Sequence, residues 1–418
     1  MSMNDDNTAV LLLRENPNQP PDPYKMVELR GLANAAGYRV LAEINQRRDL
    51  DHRFQIGKGK IAEALKYSPK KLIFYNALSP GQVFNIQSEY SAQILDRFNL
   101  ILEIFATRAS TREAKLQVEL ATLSYDAPQV RNALALQKKG EQPGFCGAGA
   151  YDQSMYHDIR KRMAKIRTEL KDVEMMGEDR RQRRREMGFD LVALAGYTNA
   201  GKSTLLNTLT GSVVTARDQP FTTLSPTTRA LEIKGHKILL TDTVGFIDDL
   251  PHFLIKAFQS TLSEISQADL VLLVADMKDS PEILRRKLVA SHKALWDCGV
   301  TASMITVLNK VDGLDESEAA AKAELIEDLA PNPVLASASS GQGLEELQER
   351  IYQQLQPLQE YQIRMPYTPE SLSELSRLYE TAELLQVSYG EELVVRLRGK
   401  KEAMAKIQGA SLSEMSTE

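Results

Sequence analysis

The sequence predicts an α/β protein. A phosphate-loop G domain carries an N-terminal α/β domain, an antiparallel hairpin of long helices and a small α/β C-terminal domain. Three observations predict this. Gly196-Tyr-Thr-Asn-Ala-Gly-Lys-Ser203 fits the G-x-x-x-x-G-K-[S/T] loop, with the apolar run Leu191-Val-Ala-Leu-Ala195 before it and a helical stretch from Thr204 after it. Strand and helix patterns alternate through roughly the first hundred residues. Two apolar stripes at helical spacing flank a glycine-rich stretch in mid-chain.

Composition sets the outer bounds. With 418 residues and 43% hydrophobic content the chain has room for several globular domains. The expected boundaries are 1–106, 107–187, 188–357 and 358–418. A net charge of -5 and a pI near 5.8 exclude a protein-wide basic field, so any nucleic-acid contact must use local patches. Cys146 and Cys298 stand far apart, and His52, His157, His236, His252 and His292 are scattered, which argues against a zinc module and for a reducing compartment. No run reaches membrane-span length and the start lacks a basic-then-apolar pattern, so the expectation is a cytoplasmic monomer without a membrane partner.

In the N-terminal domain, Ala9-Val-Leu-Leu-Leu13 reads as a strand and Tyr24 to Ala36 as a helix after a Pro-rich loop. Tyr38 to Ile44 and Lys71 to Tyr75 read as further strands. Gly57-Lys-Gly-Lys60 opens a helix through Leu65; it is too short for a phosphate loop, and a helix start is the better reading. A helix around Val83 to Ala92 and a strand at Leu100-Ile-Leu-Glu-Ile-Phe105 complete the alternation, which favours a mostly parallel sheet.

From Thr107 to about Gln137 the pattern is one long helix, with Ala109, Leu116, Leu120, Leu123, Ala127, Val130 and Leu134 on a stripe. Pro128 should kink or end it. After the loop 140–149, Tyr156, Ile159, Met163, Ile166, Leu170 and Val173 form the facing stripe. At ~1.5 Å per residue each arm reaches a few tens of ångströms. A basic run (Arg180, Arg181, Arg183, Arg184, Arg185) follows, with Lys161, Arg162, Lys165 and Arg167 upstream. It fits a solvated face and a phosphate-backbone contact equally.

The G domain is read motif by motif. In the loop Gly196, Tyr197, Thr198, Asn199, Ala200 and Gly201 turn backbone N–H groups towards phosphate. Lys202 neutralises the β- and γ-phosphate oxygens, and the Ser203 hydroxyl ligates Mg²⁺. The polar segment Phe221, Thr222, Thr223, Leu224, Ser225 offers two threonines, each with a hydroxyl and an N–H for Mg²⁺ and γ-phosphate. A strand pair turning at Gly235 delivers Asp242, Thr243, Val244 and Gly245: a carboxylate to hold Mg²⁺ through water and an N–H to sense the γ-phosphate. Asn309, Lys310, Val311 and Asp312 choose the base, because the Asp312 carboxylate accepts from guanine N1–H and the 2-amino group, neither of which adenine offers. Asn309 ties the base loop to the phosphate loop, the Lys310 stem covers the base, and Ser337, Ala338 and Ser339 form a turn facing the guanine carbonyl. In this order the pieces predict a doubly wound GTP- and GDP-binding domain.

At this point the chain resembles the HflX family within the Obg–HflX superfamily of translation-factor-related GTPases. The resemblance rests on the four nucleotide motifs, on Ile56-Gly-Lys-Gly-Lys60 and on the stretch from Ile101 to Ala121. It places Thr223 on the family's Mg²⁺-binding switch threonine, leaving Ser203 and Thr223 as metal ligands. It implies ribosome binding, chiefly on the large subunit and its rRNA, with splitting of stalled ribosomes by some members. One departure is visible. Where bacterial members carry a Gly-Pro-Gly-Glu-Thr-like hairpin tip, this chain has Phe145-Cys-Gly-Ala-Gly-Ala-Tyr-Asp152.

For hydrolysis, Phe246 stands where signalling GTPases place a water-orienting Gln, so slow turnover that accelerates on docking is expected. Lys202, Thr223 and Gly245 are the expected γ-phosphate contacts. Asn199 is a possible K⁺ ligand, with an ordinary loop residue as the other reading. The alternative to a ribosome-associated hydrolase is a GTP-gated scaffold for RNA or protein with negligible turnover. After Glu360 a helix at Glu370–Thr381, a strand at Glu392–Arg398 and a helix at Lys400–Ile407 are expected.

Overall fold

The structure is a computed structural model. It describes residues 7–140, 156–173, 175, 187–211, 221, 227–243, 245–248, 264–355, 357–400 and 411–414. The expected hairpin tip, the basic run 180–185, Thr222 to Ser225, Val244 and most of the helix expected at Lys400–Ile407 lie outside these residues. The chain forms two compact units. One holds Met1–Lys171, Arg217–Ser225 and Pro251–Phe258; the other holds Asp172–Ala216, Pro226–Leu250 and Gln259–Glu418.

In the first unit, β1 (Thr8–Glu15), β2 (Arg39–Arg47), β3 (Lys71–Phe74) and β4 (Gln93–Asp96) form a parallel sheet in the order β2-β1-β3-β4. Ala9 to Leu13 are buried without alternation, as a strand covered on both faces requires. Helix α1 (Pro23–Ala35) starts with Pro behind an Asp22 cap, and α2 (Lys58–Leu65) starts behind Gly57. Helix α3 (Pro80–Tyr90) opens on a reciprocal Ser79–Gln82 capping box.

Two expectations fail next. Residues 100–105 are not a strand; they lie inside α4 (Arg97–Arg108), whose first turn is capped by the Asp96 carboxylate accepting from Asn99 N at 2.9 Å. Leu100, Ile101, Leu102, Ile104 and Phe105 are all buried, so the run shows no one-sided stripe and reads like a core strand. Nor does the long helix begin at Thr107. The backbone is extended at Ala109, and Thr111 Oγ1 accepts from Ala114 N at 3.1 Å to start α5 (Arg112–Gly140). That helix continues past Pro128 without ending there. Its partner α6 (156–173) packs Met163, Ile166 and Leu170 on Leu116, Leu120 and Leu123. Arg112 meets Glu169 at 3.0 Å and Arg162 clasps Glu119 with two bonds of 2.6 and 2.7 Å, so the helices run antiparallel.

In the second unit a six-stranded sheet has the order β10-β9-β8-β5-β7-β6. Its strands are β5 (Asp190–Gly196), β6 (Thr227–Ile233), β7 (His236–Asp242), β8 (Leu270–Asp276), β9 (Ser303–Asn309) and β10 (Val334–Leu335). Only the β6–β7 hairpin pairs antiparallel. The helices are α7 (Lys202–Thr210), α8 (Pro281–Asp297), α9 (Glu316–Glu324) and α10 (Leu344–Gln354). The C-terminal part is a second sheet, ordered β12-β13-β11-β14, from β11 (Gln359–Pro366), β12 (Glu383–Tyr389), β13 (Glu392–Gly399) and β14 (Ser411–Glu414). All its pairings are antiparallel, and α11 (Pro369–Thr381) contributes Leu375 and Leu378 to its core. Among the described residues no helix is long and apolar enough to cross a membrane.

Candidate nucleotide-binding site

The motifs converge because the sheet is parallel. The adjacent strands β7, β5, β8 and β9 all end at the same edge, which is where open α/β sheets bind ligands. The phosphate loop is forced into shape by its glycines. Gly196 has φ +138, and a Cβ there would lie 2.3 Å from Val274 O; Gly201 has φ +97, and its Cβ would lie 2.2 Å from Asn309 Nδ2. Asn199 adopts φ +66, a left-handed conformation that Asn tolerates better than most residues.

Lys202 heads α7, and its ammonium donates to Gly196 O at 3.1 Å and Tyr197 O at 3.0 Å. Burial lowers its pKa to about 8, partly offset by Asp242. Ser203 Oγ donates to Asp242 Oδ2 at 2.5 Å, so the hydroxyl and the carboxylate predicted to serve a cation sit together. Both are hard oxygen donors, the set Mg²⁺ takes. The Thr243 hydroxyl is turned inward, donating to Leu194 O at 2.7 Å.

Asn309 does what the motif predicts. Its Nδ2 donates to Ala200 O at 2.8 Å, and its Oδ1 accepts from Ala338 N at 2.9 Å, tying phosphate loop, base loop and the Ser337–Ser339 turn together. Val311 N donates to Ala336 O at 3.3 Å, which seats the base loop on the end of β10. Lys310, at φ +70, reaches Asn199 O at 2.9 Å and Asp276 Oδ2 at 2.7 Å. The Asp312 carboxylate accepts from Ser337 Oγ at 2.7 Å and Ser339 Oγ at 3.4 Å, and the Ser337 bond foremost holds its pKa below the usual carboxylate value. It is thus an ionised acceptor at neutral pH.

Three aromatic side chains in or beside these motifs are buried. Phe221 belongs to the first unit, buried with its ring edge-on to Phe105 at 4.7 Å. The Tyr197 side chain is buried, with its hydroxyl accepting from Asp248 N at 3.0 Å. Phe246 is buried too; its N donates to Gly196 O at 3.0 Å and its O accepts from Thr198 N at 2.8 Å. Sequence reasoning missed Asp276, Asp248 and Arg286. Asp276 had a usable signal, as the residue that ends a buried strand one position after Ala275.

Comparison with known proteins agrees with this geometry. Residues 191–310 match the family described as 50S ribosome-binding GTPase, residues 23–106 the GTP-binding GTPase N-terminal family, and residues 108–184 the GTP-binding GTPase middle region. The chain is 42% identical over 391 residues to GTPase HflX of Thermococcus kodakarensis, covering 90% of this chain and 88% of that one. Against GTPase HflX of Escherichia coli the identity is 36% over 372 residues, covering 87% and 86%. The crystal structure of the complex of SsGBP and GDP aligns with a TM-score of 0.50 at 28% identity, over 83% of this chain and 98% of that one. With Asp312, the phosphate loop and its Asn309 tie at one sheet edge, and with relatives matched nearly end to end, this chain belongs to the HflX family of GTPases and hydrolyses GTP.

Proposed function

We propose that this GTP hydrolase associates with the large ribosomal subunit and uses its helical hairpin to probe it. The observation that carries this is the match of residues 191–310 to a family described as 50S ribosome-binding GTPase. The hairpin adds to it, since α5 alone is 29 residues, about 44 Å at ~1.5 Å per residue. The working divisions are an N-terminal α/β domain (1–106), the hairpin (107–187), the G domain (188–357) and the small C-terminal domain (358–418). Splitting or rescue of stalled ribosomes is the finer form of the same reading.

In the site we assign Ser203 and Thr223 to Mg²⁺, with Asp242 acting through water, and Lys202 and the Gly245 N–H to the γ-phosphate. Mg²⁺ supplies neutralisation of the phosphate oxygens when bound. For Asn199 a K⁺ ligand and an ordinary loop residue both stand; equal hydrolysis in matched KCl and NaCl would end the K⁺ reading. The protein acts as a cytoplasmic monomer on this reading. The decisive experiment is co-sedimentation with purified ribosomal subunits in GDP and in a non-hydrolysable GTP analogue, paired with multiple-turnover hydrolysis. Binding to the large subunit in the analogue, with faster turnover, is expected. No binding in either state sinks the proposal. The buried Phe246 ring, which cannot orient water, favours a second reading: a GTP-gated scaffold with negligible turnover. Ribosome binding without any stimulation of hydrolysis would select it.

A further inference from the structure

Three side chains far apart in sequence meet at the phosphate loop. Tyr197, the second residue of the loop, is only 4% exposed, and its hydroxyl accepts the backbone N–H of Asp248 at 3.0 Å. The Asp248 side chain is 6% exposed and ion-paired with Arg286 on α8. The next residue on that helix, Lys287, places its ammonium 5.2 Å from the Tyr197 ring centroid and is itself held by Asp279 at 2.7 Å. One turn of α8 therefore grips both Tyr197 and Asp248.

What lies between the gripped points matters. Phe246 is joined to the loop by two backbone bonds, of 2.8 and 3.0 Å, one on each side of Tyr197. Gly245 precedes it, and a Cβ on Gly245 would stand 2.9 Å from both Lys202 Nζ and Thr198 Cα. The segment carrying the γ-phosphate-sensing N–H is thus fixed after Gly245 by Phe246 and again at Asp248.

We propose that Tyr197, with Asp248 and Arg286, is a positioning device for the Gly245–Asp248 segment, setting the rate of GTP hydrolysis without contacting nucleotide through its side chains. In the absence of a water-orienting side chain after Gly245, the rate depends on how well backbone groups are placed, and misplacement by about 1 Å costs up to a hundredfold. This rests on the assignment of the Gly245 N–H to the γ-phosphate. GDP has no γ-phosphate, so its affinity should be insensitive to the device.

The test is Tyr197→Phe in the full chain, which keeps the buried ring and removes only the hydroxyl, beside Arg286→Ala, Arg286→Lys and the double variant. The expected result is a kcat lower by roughly tenfold in Tyr197→Phe and Arg286→Ala. KM for GTP and Kd for GDP should stay within about twofold, with partial recovery in Arg286→Lys and no further loss in the double variant. An unchanged kcat overturns the proposal. So does a parallel loss of GDP affinity, which would make Tyr197 a prop of the loop itself. Multiplicative losses in the double variant would also overturn it, by showing that the two residues act separately. A wild-type protein that hydrolyses GTP while a Gly245→Ala variant is equally fast would instead remove the γ-phosphate assignment and leave the grip as packing alone.

Discussion

Asp312 shows how much one carboxylate decides. Two serine hydroxyls aim it and the Ser337 bond foremost lowers its pKa, so its carboxylate suits two donors from one edge of a base. Asp312→Asn should lower GTP affinity by about a hundredfold. It should raise affinity for xanthosine triphosphate, whose C2 carbonyl accepts from the new amide; competition against a fluorescent guanine nucleotide measures both. Lys202 makes a pH-dependent prediction. Burial lowers its pKa to about 8, and a bound phosphate raises it again by offering opposite charge. Below pH 8 the ammonium is charged whether or not nucleotide is bound, so affinity is flat. Above pH 8 binding must take up a proton, so GTP affinity should fall up to tenfold per pH unit, as titration calorimetry from pH 7 to 9.5 would show. At Gly201 a methyl would collide with the Asn309 amide, so Gly201→Ala should cut nucleotide affinity at least about tenfold while circular dichroism stays native.

Elements succeed or fail as predictions according to whether their pattern is one-sided. The hairpin seam was legible because Leu116, Leu120 and Leu123, and Met163, Ile166 and Leu170, recur at spacings of three and four. Ile166 is fully buried in that seam, so Ile166→Ala should cost about 2–4 kcal/mol of local stability, read as faster amide exchange in residues 112–125 and 156–173 with the six-stranded sheet unaffected. Residues 100–105 misled for the opposite reason. A helix buried on most sides has the same apolar continuity as a parallel strand, and the deciding cue was the Asp96 cap upstream. In the C-terminal sheet, β11 was missed because its partner β13 lies beyond α11 in sequence, and β12 because its burial does not alternate.

For the molecule as a whole, the second unit is stitched across its two sheets by a buried cluster. Asp190 at the start of β5 accepts from Lys400 just past β13 and faces His236 Nδ1 at 3.1 Å, and the imidazole meets the Tyr352 ring edge-on at 5.3 Å. The Asp190 side chain is 3% exposed and that of Lys400 13%, so removing the carboxylate strands a largely buried ammonium. Asp190→Ala should therefore destabilise this unit by about 3 kcal/mol or more, seen as a lower urea midpoint, with GTP affinity little changed because the cluster sits at the opposite end of β5 from Gly196.

The sequence by itself determined the class of nucleotide and the motifs expected to hold it, since a phosphate loop, an Asp-x-x-Gly segment and an Asn-Lys-x-Asp motif each encode their chemistry within a few consecutive positions. Local spacing can carry that much because backbone turns and strand ends are set by near neighbours. Only the tertiary structure brought Tyr197 to Asp248 and Asp248 to Arg286, bonded Phe246 to the loop, and closed Lys400 on Asp190. Those pairs are joined by the packing of distant strands and helices, whose side-chain meetings leave no period in the chain to read.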